Sequence, residues 1–247
     1  NNYKNCIAVC YGMTNYKQLI FAKKQNMDFL YIDNGYFGNL SSYYTSGKTR
    51  KNFYRITYNA LVSSVITKRP SDRFNEQMNF LKTHYGVDNI IEPYKKNGKD
   101  IIIVPPSGKV LKVCNIVQEE WINEVTSKID TSKYNIVLRG RPNSRSERFS
   151  SQPIQELFKN AHATITMNSM ASVDSLLCGV PSFIHNNVAK KHMIKSVAKN
   201  MSISNLDNLD ERLFPNNRLE WLHHLAYGQF SKDEITSGKA RKIVLGS

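Results

Sequence analysis

The chain has 247 residues, 40% apolar and 22% charged, the make-up of a soluble globular protein with enough material for one large core or two compact ones. No apolar run approaches the ~20 residues needed to cross a bilayer, and Asn1 to Asn5 lack the layout of a secretory signal, so a cytoplasmic protein without a membrane partner is expected. Lysine and arginine number 34 against 20 acids, a formal +14 that points to a polyanionic partner and says nothing about fold.

The four cysteines, Cys6, Cys10, Cys114 and Cys178, are scattered without CxxC spacing, which favours buried reduced thiols over zinc ligands or disulfides. The histidines show no HxxxH or HExxH spacing. No metal site is expected.

In chain order, Cys6 to Tyr11 reads as a buried strand ending at Gly12, Thr14 can cap a helix through about Lys24, and Phe29 to Ile32 is a second strand, a βαβ opening. After a polar, aromatic stretch, Asp72 can cap a helix near Phe74 to His84, stopped by Gly86. Asn97-Gly-Lys-Asp100 reads as a boundary, because Asp100 to Val104 begins a fresh buried strand. A helix carrying Ile116, Val117, Trp121, Ile122, Val125 and Ile129 follows. Next come a strand at Asn135 to Leu138, a helix near Pro153 to Asn160, a strand at Thr164 to Met167, a short helix from about Met170, and a last strand before Ile184. A helix around Trp221 precedes a capping box at Ser231 and Glu234, which opens a helix to about Val244.

Strands apolar on both faces and separated by helices argue for parallel sheets covered on two sides. The expected fold class is therefore α/β, with two Rossmann-like domains facing a cleft. The first covers residues 1–97 with a basic, aromatic insert at 38–58, the second covers 98–215, and helices at 216–247 cross back to the first.

Chemistry is expected where strands hand over to helices. At Asn168 and Ser169 a helix start presents backbone N–H groups and a positive dipole end, which suit a phosphate. Ser172 would add a hydroxyl, and Asp174 could accept from a ribose. Equally, Asn168 or Ser169 serves only as a helix cap and Gly179-Val-Pro181 as an ordinary turn. After the strand ending at Val104, Ser107, Gly108 and Lys109 suit a diphosphate, although the P-loop spacing is absent. Arg139 and Arg141 hold the equivalent place after the next strand and could neutralise a departing diphosphate in place of a divalent metal. His185, just after a strand, is a further donor-site candidate.

In the first unit, Asp33 ends a strand and is placed to take a proton from an acceptor hydroxyl; Asp33-Asn-Gly-Tyr is also good turn chemistry. The following segment interleaves cations with aromatic rings, as expected where phosphates are neutralised and bases stacked. Lys48, Arg50, Lys51 and Arg55 are the candidate nucleic-acid surface, with Tyr43 and Tyr54 for stacking. Arg145 and Arg148 form a second basic loop. The same composition fits a solvated loop whose rings pack on the sheet.

The segment Asn168-Ser-Met-Ala-Ser-Val-Asp-Ser-Leu-Leu-Cys-Gly-Val-Pro181 resembles the donor-gripping segment of GT-B glycosyltransferases of the capsular polysaccharide type. By that resemblance Ser169, Ser172 and Asp174 hold a nucleotide sugar, with an aspartate where glutamate is commoner. Tyr31-Ile-Asp-Asn-Gly-Tyr-Phe37, Phe53-Tyr-Arg-Ile-Thr-Tyr-Asn-Ala-Leu61, Val104-Pro-Pro-Ser107 and Leu225 to Ala240 are similar to segments of small tailed-bacteriophage glycosyltransferases. This kinship implies transfer of a hexose or pentose from a UDP-sugar such as UDP-glucose to a 5-hydroxymethylpyrimidine in double-stranded phage DNA, in the host cytoplasm. It implies no tightly bound cofactor and no required metal; a monomer is expected. Two other readings stay open: an acceptor that is a surface polysaccharide or lipid-linked sugar, and a non-enzymatic, basic, nucleic-acid-binding α/β protein.

Overall fold

The computed structural model describes residues 6–13, 16–38, 52–63, 67–140, 154–185, 196, 198, 201–203, 205–211 and 214–246. Within them the chain forms two four-stranded sheets flanked by helices.

The first sheet begins with β1 (Ile7–Tyr11), α1 (Tyr16–Lys24) and β2 (Asp28–Asn34), and β1 lies parallel to β2 with Tyr11 opposite Ile32. Period-two burial fixes which face is inward: Cys10, Phe29 and Tyr31 are buried with Leu19 and Ala22 of α1, whereas Ile7, Val9 and Tyr11 stay exposed. The next strand, β3 (Tyr54–Tyr58), runs antiparallel to β2, with Asp33 opposite Arg55. This corrects the parallel, Rossmann-like expectation for the first half. Arg55 and Thr57 are inward-facing polar residues on β3, so the apolar alternation that announces a strand is broken there.

Helix α2 (Asp72–Tyr85) has Ser71, not Asp72, as its N-cap, and it ends as expected at Gly86. Gly86 has φ 67°, and its N–H reaches the carbonyls of Leu81 and Lys82.

The second sheet is wholly parallel. It uses β4 (Asp100–Val104), α3 (Gly108–Cys114), α4 (Gln118–Thr126), β5 (Asn135–Leu138), α5 (Ile154–Leu157), β6 (Ala161–Thr166), α6 (Ala171–Leu177) and β7 (Ser182–Ile184). The strand order is β5-β4-β6-β7. The one helix expected around Ile116 to Ile129 is two, because Asn115 adopts the left-handed conformation (φ 54°) and closes α3. Ile101, Ile103, Ile165 and Met167 pack with Val110 and Cys114 of α3 and Trp121 and Val125 of α4. Ile102 and Val104 pack on the other face with Ala171 and Cys178 beside α6, and with Ile154 and Leu157 of α5.

The chain then returns to the first sheet. After α7 (Arg218–Ala226), β8 (Gln229–Phe230) pairs antiparallel with β3, and α8 (Lys232–Thr236) and α9 (Lys239–Leu245) follow. The capping box of Ser231 and Glu234 is present, but Gly238 at φ 79° splits the expected single helix. Buried Arg73 of α2 donates to the carbonyls of Ala226 and Gln229 and to Glu234, while the Gln229 side chain accepts from the N–H groups of Tyr36 and Phe37. One apolar cluster holds Cys10, Phe29 and Tyr31 together with Ile101, Ile103 and Trp121, and another joins Tyr36 and Phe37 to Val173 and Leu176 of α6 and Trp221 of α7. The architecture is thus α/β, with one mixed and one doubly wound sheet. Among the described residues no helix is long and apolar enough to cross a membrane.

Candidate functional site

The adjacent strands β4 and β6 are register partners through Val104 and Thr166, and the helices that follow them cover opposite faces of the sheet. In open α/β sheets such a divergence is where a crevice forms, at the carboxyl ends of the strands, and where ligands are taken. Four segments meet along this edge. The N–H of Arg139 donates to Ile103 O at 2.8 Å just beyond β5, and the N–H of His185 donates to Thr166 O at 2.9 Å just beyond β7. Between them emerge the Pro105–Ser107 and Met167–Met170 turns.

The turn into α6 is largely self-satisfied. Ser169 Oγ accepts from the Ala171 N–H at 3.2 Å, and the N–H groups of Ser172, Val173 and Asp174 donate to the carbonyls of Ser169 and Met170. A phosphate therefore does not find the first amides of the helix exposed. What remains for a ligand are the side chains of Asn168 and Ser169, both half-buried, and the N–H groups of Ser169 and Met170, which bond to no described residue. Ser172 is fully buried and donates its hydroxyl to Ser169 O at 2.7 Å, so it braces the turn and does not reach a ligand. Asp174 lies a turn further on, partly buried, and burial pushes its carboxyl up to about 7. The same helix face carries Ala171 and Cys178, which share an apolar cluster with Ile102 and Val104 of β4.

Ser107 is the N-cap of α3, and its carbonyl accepts from the Leu111 N–H at 3.0 Å. Gly108 and Lys109, expected in a loop, form the first turn of that helix and are exposed. A side chain at Gly108 would meet nothing within 4 Å, so the glycine is not required by packing. Arg139 is half-buried at the crevice margin. His185 is 98% buried, with its backbone carbonyl taken by Trp121 Nε1 and its ring Nε2 2.9 Å from Glu124 Oε1, although not in hydrogen-bond alignment. Its ring therefore faces α4 and not the open edge.

The carboxyl end of β2 holds a second polar group. Asp33 Oδ2 accepts from Tyr31 Oη at 2.8 Å and from Arg55 Nη2 at 2.9 Å, and Oδ1 accepts from the Asn34 N–H. The guanidinium lies 5.7 Å and 5.9 Å from the ring centres of Tyr31 and Tyr36. Burial of Arg55 and its bond to Asp33 correct its placement on a nucleic-acid surface: it is an internal partner of Asp33. Tyr54 lies in β3, not in a loop. Tyr43, Lys48, Arg50, Lys51, Arg141, Arg145 and Arg148 lie outside the described residues.

Sequence reasoning missed Tyr31 and Thr166, and it gave Arg55 to a nucleic-acid surface instead of to Asp33. Tyr31 precedes Asp33 by two residues, and that spacing on a strand was the available signal, since it puts both side chains on one face. Arg55 had no such signal, because it reaches Asp33 only through antiparallel pairing. Thr166 Oγ1 is a buried hydroxyl at the crevice with no partner among the described residues.

No protein-family model and no curated protein matches the chain. Among solved structures it is similar to KpsC of Thermosulfurimonas dismutans, described as a β-Kdo 2,4 transferase, with 9% identity and a TM-score of 0.48 over 96% of this chain and 86% of the other. A second likeness is to the KpsC β-Kdo 2,7 transferase of the same organism, with 10% identity and a TM-score of 0.47 over 95% and 84% of the two chains.

Proposed function

We propose that the protein is a glycosyltransferase that holds a nucleotide-sugar donor in the crevice between the ends of β4 and β6. The observation that carries this reading is the Val104–Thr166 pairing with helices leaving on opposite faces, which puts the Ser107 and Ser169 turns on either side of one crevice. Asn168, Ser169 and the N–H groups of the Ser169–Met170 turn face the diphosphate from one side. Ser107, Gly108 and Lys109 face it from the other, at the start of α3. Arg139 at the margin neutralises charge on the departing nucleotide, a role suited to a guanidinium because its donors are planar and paired. These residues bind and stabilise the leaving group; Asp33 takes the proton of the acceptor hydroxyl through Oδ1, its Oδ2 being held by Tyr31 and Arg55. The bond broken is that from the anomeric carbon to the diphosphate, and the bond formed joins that carbon to the acceptor oxygen.

The donor, a UDP-sugar, and the acceptor, a 5-hydroxymethylpyrimidine in double-stranded DNA, rest on the resemblance of the sequence segments and on the +14 charge. Ser172 and His185 drop out of the donor set because their polar groups are turned to protein partners. Thermal denaturation with a panel of nucleotide sugars tests the reading: a donor at about 100 times its dissociation constant stabilises the fold by roughly 2.7 kcal/mol. Stabilisation by none of the panel would leave a basic binding protein as the better account. Product analysis on hydroxymethylated DNA, unmodified DNA and oligosaccharide then separates the acceptors.

A further inference from the structure

Away from the crevice, His224 of α7 makes a set of contacts that the transfer reaction does not use. The residue is 91% buried. Its Nε2 lies 2.7 Å from Ser63 Oγ, and its Nδ1 lies 3.0 Å from Thr67 Oγ1 and 3.3 Å from the Thr67 backbone nitrogen. A backbone N–H can only donate, so Nδ1 is the bare nitrogen and the single proton of the neutral ring sits on Nε2. Nε2 then donates to Ser63 Oγ. This direction rules out a serine nucleophile activated by histidine, which needs the bare nitrogen to face the hydroxyl.

We propose that His224 is a pH-sensitive tether that fastens Ser63 and Thr67 to α7 while its ring is neutral and lets go of the Thr67 backbone N–H when the ring takes up a second proton. The added proton goes to Nδ1, where it faces the Thr67 N–H, donor against donor. Thr67 Oγ1 can turn to accept it, but the backbone N–H loses its partner. The surroundings work against the charged ring: burial first, and then the Arg69 guanidinium, push His224 below the ordinary histidine value. Arg69 is itself held over the Tyr227 ring at 5.2 Å. His223, the next residue on α7, turns instead to Phe74, with ring centres 5.4 Å apart. The phenol of Tyr36 stands behind Ser63, accepting from its N–H at 3.1 Å. Among the described residues no carboxylate bonds to the His224 ring, so a second proton meets no counter-charge.

The tether leads towards the carboxyl end of β2. Tyr36 lies beside the Arg55 guanidinium, and Arg55 holds Asp33. Release on the Thr67 side leaves the Nε2–H bond to Ser63 Oγ in place, so the tether loosens at one end only, next to the Ser63–Tyr36 contact behind Arg55.

Amide hydrogen exchange of the full chain from about pH 8 to about pH 5 tests this, with each rate corrected for its intrinsic pH dependence. Thr67 is expected to lose protection at least about tenfold as His224 protonates, while the amides of Leu222 to Ala226 within α7 keep theirs. The His224 imidazole resonance should titrate with the same midpoint. R69Q removes the nearby positive charge without touching the contacts, and should move that midpoint to higher pH. H224Q, which cannot charge, should abolish the pH response; if that variant does not fold, R69Q alone decides. Thr67 protection independent of pH, or a midpoint unmoved in R69Q, would overturn the proposal.

Discussion

Val104 and Thr166 are register partners on the two central strands of the parallel sheet, and the chain leaves the two strands towards opposite faces. Every functional expectation for the second half depends on this relationship, because it puts the Ser107 and Ser169 turns at one crevice. Ser169 and Ser172 separate its structural parts from its binding parts. Ser169→Ala removes the acceptor for the Ala171 N–H and should cost about 1 kcal/mol of stability and also weaken nucleotide-sugar binding. Ser172→Ala should cost a similar amount, about 1 kcal/mol, through loss of its bond to Ser169 O, with donor affinity unchanged. Chemical denaturation with calorimetric titration reads both effects.

Gly108 gives a cleaner contrast between stability and binding. Nothing lies within 4 Å of where its side chain would be, and it is in the first turn of a helix, so Gly108→Ala should be neutral or stabilise the fold by up to about 0.5 kcal/mol. If a diphosphate approaches this backbone closely, the same methyl group should lower donor affinity. A stabilised variant that binds as tightly as the parent would remove Gly108 from the donor site.

Gly179 illustrates the opposite case. Its φ is 73°, and an added Cβ would stand 2.0 Å from Pro93 O, where the connection between the sheets runs against the turn before β7. The N–H of Lys95 donates to Gly179 O at 2.8 Å along the same contact. Gly179→Ala should therefore destabilise by at least about 2 kcal/mol, measured by denaturant unfolding.

Asp33 and Arg55 make a testable pair. Arg55→Ala leaves Asp33 with Tyr31 and Asn34 as its remaining partners and should cost roughly 2 kcal/mol, discounted from the value for a fully buried pair because Asp33 is 28% exposed. Asp33→Asn keeps the shape and should leave nucleotide affinity intact while abolishing transfer. Full turnover in that variant would mean that the proton goes elsewhere.

Glu234 gives the fold an acid limit. Burial works against its charge, but hydrogen bonds from Arg73, Lys239 and the Ser231 backbone prevail and hold its carboxyl down at about 2. A carboxyl lower in the folded than in the unfolded chain contributes stability that is fully present above the unfolded value of 4.5 and is lost as pH falls from there towards about 2. Glu234→Gln should flatten stability across that window, as seen in thermal unfolding at stepped pH.

The second sheet was legible because its strands are apolar on both faces and its helix stops are marked by residues such as Gly179. The first sheet was less so. Arg55 and Thr57 face inwards on β3, which hides the strand period, and β8 is only two residues long, Gln229 and Phe230, so neither carries a local signal. Position along the chain puts Ser107, Arg139, Ser169 and His185 just after four neighbouring strands of one parallel sheet. It could not tell which hydroxyls turn inwards: Ser172 and Ser169 read alike in sequence, and only the tightness of the turn gives Ser172 to Ser169 O.

The proposed donor site at the ends of β4 and β6 requires that a nucleotide diphosphate bind there. Amide exchange or amide chemical shifts of the full chain with and without a saturating nucleotide sugar test it most directly. Perturbation is expected in two stretches far apart in sequence, Ser107 to Lys109 and Asn168 to Met170, with Arg139 beside them. Binding that perturbs neither stretch, or only one remote from the strand ends, would contradict it.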